Sequence, residues 1–141
     1  MNQKDKILYQ LERLMRSFGS LRKGYEMDIS GLSTDMKDIV KSGIIQKFEI
    51  TTELGWKTTK LFIEIQSGIT AASPKSAYKQ LFIEQWINES LYLGLLEIID
   101  DRNTMSHVYR EDKFDEVLLK MKSHIGHFEQ LILMIQKHLN G

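Results

Sequence analysis

The chain reads as an all-α protein, an up-down four-helix bundle with one short extra helix, and three observations say so. Its 141 residues contain a single proline, Pro74, whereas an all-β domain needs many turns and draws on proline and glycine to make them. Long stretches repeat apolar residues at alternating three- and four-residue steps, the period of helices packed nearly parallel. The breaks between those stretches carry helix-capping residues rather than hairpin turns.

The first helix is expected from Gln3 to Met27, with Ile7, Leu11, Leu14, Phe18, Leu21 and Tyr25 on its seam. Ser30 to Asp35 forms a connection in which Ser33, Thr34 or Asp35 can serve as N-cap. The second helix runs from Met36 to Gln66, bent at Ser42-Gly43. Its apolar face is Ile44, Phe48, Gly55, Phe62 and Ile65, with Thr51, Thr52, Thr58 and Thr59 flanking the middle. Small residues at the centre of a buried stripe admit a close neighbour. The other face carries Glu49, Glu53, Trp56, Lys57 and Lys60, and Glu53 to Lys57 is a favourable i,i+4 pair. Ser67-Gly68 ends this helix. Ser73 caps a short third helix from Pro74 to Trp86, with proline at the first position, where a missing N–H costs nothing. Asn88 caps a fourth helix from Glu89 to His107. Arg110-Glu111-Asp112 marks the break before the last helix, Lys113 to Leu139, whose apolar residues keep heptad-like steps. No repeat or linker interrupts the chain, so residues 1–141 are expected to form one domain.

Composition narrows the functional classes. Lys and Arg together number 19 and so do Asp and Glu, so no global field recruits nucleic acid or a membrane, and any RNA contact has to be local. The absence of cysteine excludes disulfides, thiolate metal sites and a cysteine nucleophile. The N-terminus lacks an apolar signal core, and no apolar run approaches the ~18 residues of a membrane span. A cytoplasmic location without membrane association is the expectation.

The departure from the pattern is Asp100 to Tyr109. Upstream, Leu91, Leu95 and Ile98 mark a core-facing stripe, and extending it by helical steps gives Arg102, Asn103, Ser106 and His107. A guanidinium, an amide, a hydroxyl and an imidazole stand where burial predicts leucine, and desolvating them is costly without partners. One explanation is structural: a buried polar network closing the helix end, with Arg102 paired to Asp100 or Asp101. The other is chemical. Arginine can grip a phosphate, and histidine exchanges protons near neutral pH, which suits metal-free cleavage of RNA by a ribose 2′-hydroxyl. Arg102 and His107, five residues apart, diverge by about 140° on an ideal helix. They converge only if the helix breaks near Ser106 or a second protomer completes the site, as in a symmetric homodimer. Tyr109 offers a phenolic oxygen that another enzyme could modify. Glu49 and Glu53 lack the histidine three residues beyond a glutamate that a bundle di-iron centre requires; a solvated or partner-binding face is the better reading. His124, His127 and His138 read as surface residues. No glycine-rich phosphate loop is present, and neither a cofactor nor a metal is expected.

These residues carry a resemblance. Gln46-Lys47-Phe48-Glu49, with Glu53-Leu54 and Trp56-Lys57, resembles the second-helix signature of the nucleotidyltransferase substrate-binding proteins of the HEPN superfamily. Ser73-Pro74-Lys75 matches that family's third-helix start. Asp101-Arg102-Asn103 and Ser106-His107-Val108-Tyr109 match its most specific stretch, although Val108 and Arg110 stand where relatives often have threonine and aspartate. The resemblance implies a fold similar to the helical domain of kanamycin nucleotidyltransferase and a partner, a separate minimal nucleotidyltransferase. It implies either a binding subunit for that transferase or a metal-independent ribonuclease toxin. In the second case Arg102 and His107, supported by Asn103, are catalytic, and AMP addition to Tyr109 neutralises the toxin. In either case Glu49, Glu53, Trp56, Lys57 and Ser106 are expected to bind partner or substrate. Binding of a small nucleotide in the same cleft is a third reading.

Overall fold

The computed structural model describes residues 2–107 and 111–140, without the side chains of residues 106, 107, 111, 112 and 140. Five helices follow in order: α1 (Gln3–Glu26), α2 (Thr34–Ser67), α3 (Pro74–Ile83), α4 (Glu89–His107) and α5 (Glu111–Asn140).

The capping chemistry read from the sequence sets most of the boundaries. Ser33 accepts the Met36 N–H at 3.2 Å, so α2 begins at Thr34, and it then runs unbroken through Ser42-Gly43. Gly68, in the left-handed region at φ 70°, closes it. Ser73 and Ser76 form a reciprocal capping box around Pro74, and the Asn88 carboxamide accepts the Leu91 N–H at 2.8 Å. Several expected limits shift by one to three residues, among them the end of α3 and the start of α5. α3 ends at Ile83 rather than Trp86, because Gln85 adopts φ 64° and lets Trp86 and Gln85 donate back to the Leu81 and Phe82 carbonyls. This is the Schellman closure, made here without glycine. Glu111 and Asp112, expected in the break before α5, already belong to that helix.

Contacts along the helices establish the up-down order. Ser17 meets Thr51 while Gly24 lies against Ile44, so α1 and α2 are antiparallel. Arg22 pairs with Glu129 and Met15 with Gln136, so α1 and α5 are antiparallel too. Asp101 meets His124 and Gly94 meets His127, which reverses α4 relative to α5. The short α3 packs between α2 and α4.

All five helices feed one core. Leu14, Leu21, Phe48, Phe62, Leu81, Leu95, Ile98, Phe128 and Ile135 are among its fully buried members, each worth roughly 1.5–3 kcal/mol relative to exposure. The centre of α2 is small and hydroxylated, as its sequence suggests. Thr51, Thr52, Thr58 and Thr59 are completely buried, and each satisfies its hydroxyl by donating to the carbonyl four residues earlier. A Cβ on Gly55 would stand 3.3 Å from the Tyr78 hydroxyl oxygen and 3.7 Å from Phe128, so the glycine is what lets those rings close over α2.

Gly94 plays the corresponding part between α4 and α5: the His127 ring occupies the space a Cβ would need. Gly94→Ala is therefore expected to cost about 1–3 kcal/mol. Urea unfolding of Gly94→Ala beside Gly94→Ala/His127→Ala checks the cause, because removing the ring should recover most of that loss.

Candidate functional site

The polar block opens with three consecutive side chains that leave α4 in three directions, about 100° apart. Asp100 pairs with Lys75 of α3 at 2.6 Å. Asp101 turns to α5, where its carboxylate meets the Nε2 of His124 at 2.7 Å and the Nζ of Lys120 at 2.9 Å. Arg102 turns to α2 and donates from Nη2 to the Glu53 carboxylate at 2.7 Å. This corrects the expected pairing of Arg102 with Asp100 or Asp101: both aspartates face other helices, and the guanidinium reaches Glu53.

Glu53 is the hub. Beyond Arg102 it accepts from the Trp56 indole at 3.2 Å and from Lys57 at 3.2 Å. Burial by itself raises the carboxyl, but hydrogen bonds from Lys57 and Trp56 and the charges of Arg102 and Lys57 outweigh it. The net effect holds Glu53 below its ordinary value of 4.5. Glu53, Trp56, Lys57 and Arg102, drawn from two motifs 49 residues apart, thus form one cluster. Glu49 sits one turn earlier on α2 and is part-exposed. Asn103 is exposed, contrary to its place on the extended apolar stripe. The core line of α4 instead runs from Ile98 past half-buried Arg102 to Met105, which is 2% exposed. His107 is the last residue of α4. Its side chain and that of Ser106, and all of Tyr109, lie outside the described residues.

His124, a surface residue by its sequence neighbours, is instead 1% exposed. It stacks on Phe48 with centroids 5.3 Å apart. A signal for this exists in the sequence: His124 stands seven residues from both Val117 and Leu131, on a buried stripe of α5. Burial depresses its imidazole below the usual 6.5 despite the opposing pull of Asp101 and Glu97. Lys120 moves the other way, since its bonds to Asp101 and Glu97 outweigh burial and raise it. His127 is half-buried against Gly94. His138 is exposed as expected, though its ring edge packs on Trp86.

Arranged this way, the cluster offers a guanidinium already holding an oxyanion. The Glu53 carboxylate occupies a position where a phosphate oxygen would serve the same donor. Among the described residues no helix is long and apolar enough to cross a membrane.

The chain's relatives share this architecture. The profile of the family described as nucleotidyltransferase substrate binding protein like matches residues 9–137. No curated protein sequence matches the chain. Among solved structures, it is similar to a mutant of the toxin–antitoxin MntA-HpeT, with TM-score 0.79 and 18% identity over 94% of this chain and 98% of that one. It is also similar to a tri-AMPylated Shewanella oneidensis HEPN toxin in complex with MNT antitoxin, with TM-score 0.77 and 22% identity over 97% and 99%. A protein from Thermus thermophilus matches with TM-score 0.71 and 19% identity over 91% and 99%. At these identities the likeness establishes the helical fold.

Two outcomes follow from the cluster. A double-mutant cycle of Arg102→Ala and Glu53→Ala, read by urea unfolding, should give a coupling of about 1–2 kcal/mol; additive losses would refute the hub. Acid should also weaken the fold. A base depressed in the folded state binds its proton more readily when unfolded. The stability from neutral His124 is therefore complete above 6.5 and is lost as pH falls toward the folded value. Glu53 adds a loss of the same sign below 4.5. Unfolding midpoints at about pH 7.5 and about pH 5.5 should differ in the wild type and converge in His124→Gln.

Proposed function

Because the chain belongs to the nucleotidyltransferase substrate binding protein like family, we propose that it is the partner subunit of a minimal nucleotidyltransferase in a two-component pair of the toxin–antitoxin kind. The observation that carries the reading is the Arg102–Glu53 bond, which joins the two stretches of sequence on which the family resemblance rests. Two similar structures, one of MntA-HpeT and one of a HEPN toxin with MNT antitoxin, are toxin–antitoxin assemblies. In this reading the chain is a cytoplasmic homodimer that uses no metal or cofactor. Exposed Asn103 and half-buried Arg102 face a cleft completed by a second copy, with Glu49, Trp56, Lys57 and Ser106 on its border.

A second reading is favoured by one specific observation, the tri-AMPylated state of the Shewanella oneidensis toxin set beside Tyr109 in this sequence. Here the chain is a metal-independent ribonuclease. His107 withdraws the proton from a ribose 2′-hydroxyl, and the oxygen attacks the adjacent phosphorus to form a 2′,3′-cyclic phosphate. The P–O5′ bond breaks with its electron pair on the 5′-oxygen, which takes a proton from water to become a hydroxyl. Arg102 exchanges Glu53 for a non-bridging phosphate oxygen and stabilises the charge that develops there. AMP on Tyr109 would block the phosphate from entering.

Co-expression with a minimal nucleotidyltransferase and capture through a tag on one subunit tests the pair. A stoichiometric complex is expected, and separate elution of the two proteins would sink the partner role. Expression without the transferase tests the enzyme: growth should stop, and Arg102→Ala or His107→Ala should restore it. Intact RNA alongside tight transferase binding would remove the ribonuclease and leave the partner.

A further inference from the structure

One face of the molecule gathers positive charge that the chain as a whole does not have. Where α1 and α2 lie antiparallel, a groove runs between them, widening into a cavity of about 370 Å³ at one end and about 260 Å³ at the other. The lining positions recur at helical spacing. Residues 6, 9, 13, 16 and 20 of α1 run one way and residues 47, 50, 54, 57 and 61 of α2 run back, so the two cavities follow one another along the same α1–α2 seam. Its cations are Lys6, Arg13, Arg16, Lys47, Lys57 and Lys60, against one lining carboxylate, Glu64. Glu12, bonded to Arg16, and Glu53, bonded to Lys57, flank the track. Counting all three acids still leaves it at +3 in a chain of net charge zero.

Charge alone would suit any polyanion, but the track also carries flat rings. Tyr9 is 54% exposed, and the Arg13 guanidinium stands over one face of its ring, 5.9 Å from the centroid, leaving the other face for a base. Trp56 lines the wider cavity. Alternation of cations that follow a phosphodiester backbone with aromatic faces on which bases stack is the chemistry of single-stranded nucleic-acid binding. The wide end is tied to the cluster described above, since Trp56 and Lys57 both bond to the Glu53 that holds Arg102.

We propose that the α1–α2 groove is a binding track for single-stranded RNA, engaging its phosphates through these six cations and its bases through Tyr9 and Trp56. The track delivers the strand toward Arg102. The inference goes beyond the partner role and deepens the ribonuclease reading, on which it rests only for the fate of the bound strand.

The probe is a fluorescein-labelled 2′-O-methyl oligoadenylate of about eight nucleotides, which binds but cannot be cleaved because its nucleophile is blocked. Fluorescence anisotropy across a salt series is expected to give a slope of log K against log salt near −4, at about −0.7 per phosphate contact. Arg13→Glu/Lys47→Glu should weaken binding more than tenfold and flatten that slope by about 1.4. Tyr9→Ala, which leaves the charges in place, should weaken it about tenfold. The control is Lys122→Glu/Lys137→Glu, a reversal of two exposed lysines on α5, which should stay within twofold. Unchanged far-ultraviolet circular dichroism and melting temperature establish that each variant is folded. Absence of binding by the wild type, equal loss in the control pair, or full affinity in Tyr9→Ala overturns the assignment. So does a groove variant that keeps RNA but loses the transferase, which would make the groove a protein-docking face. Failure of the partner reading appears separately, as a transferase that does not co-elute while anisotropy is unaffected. Failure of the enzyme reading appears as uncleaved natural RNA that still binds.

Discussion

The end of α4 is held by three adjacent charges that cannot all face the same way. Successive helical residues point about 100° apart, so Asp100, Asp101 and Arg102 necessarily address three neighbours, and each finds an opposite charge or an imidazole there: Lys75, His124 with Lys120, and Glu53. Apolar packing along α4 fixes that the helix is buried, but Leu and Ile are poor at setting rotation and axial register by themselves. Three directional bonds to three different helices set both. The polar stretch that interrupts the hydrophobic pattern is therefore also the stretch that orients the helix carrying it.

That arrangement places stability and chemistry on the same atoms. Part-buried charges lose hydration that a single partner only partly restores, and here the deficit is offset by sharing: Glu53 accepts from Arg102, Trp56 and Lys57. Arg102 is consequently poised rather than idle. A phosphate that displaced Glu53 would inherit a donor already desolvated and aimed, while Glu53 kept Trp56 and Lys57 as partners. The aspartate beside it is bound to the most buried imidazole described, and that imidazole is stacked on Phe48. His124 accordingly serves the α4–α5 seam, and its burial gives the fold a sensitivity to acid that no surface histidine would confer.

The α2 helix supplies the surface against which this happens, and its unusual centre explains how. Four buried threonines spend their hydroxyls on their own helix, so they pack as small branched residues, and Thr51 also meets Ser17 of α1. Gly55 then admits Tyr78 and Phe128. With its inner face so thin, α2 can lie close to α3 and α5 while turning Glu53, Trp56 and Lys57 outward, between the Arg102 cluster on one side and the α1 groove on the other.

Much of this was legible in the residues alone. Helical class, the caps at Ser73 and Asn88, a cap for α2 among Ser33, Thr34 and Asp35, the close approach at Gly55 and the candidacy of Arg102, Glu53, Trp56 and Lys57 all follow from spacing or resemblance, because helical periodicity and capping act over a few residues. What spacing could not supply was the pairing. Arg102 is one and two residues from two aspartates, yet bonds to a glutamate 49 positions away, since adjacent helical side chains diverge and only packed helices converge. The same reason put His124 inside and Asn103 outside. An isolated histidine among polar neighbours looks solvated until its seven-residue relation to Val117 and Leu131 is set against a particular neighbouring helix. The sequence by itself determined which helices form and which side chains carry charge. Tertiary packing decided which charges meet, because that depends on how helices are rotated against one another, a quantity no local pattern contains.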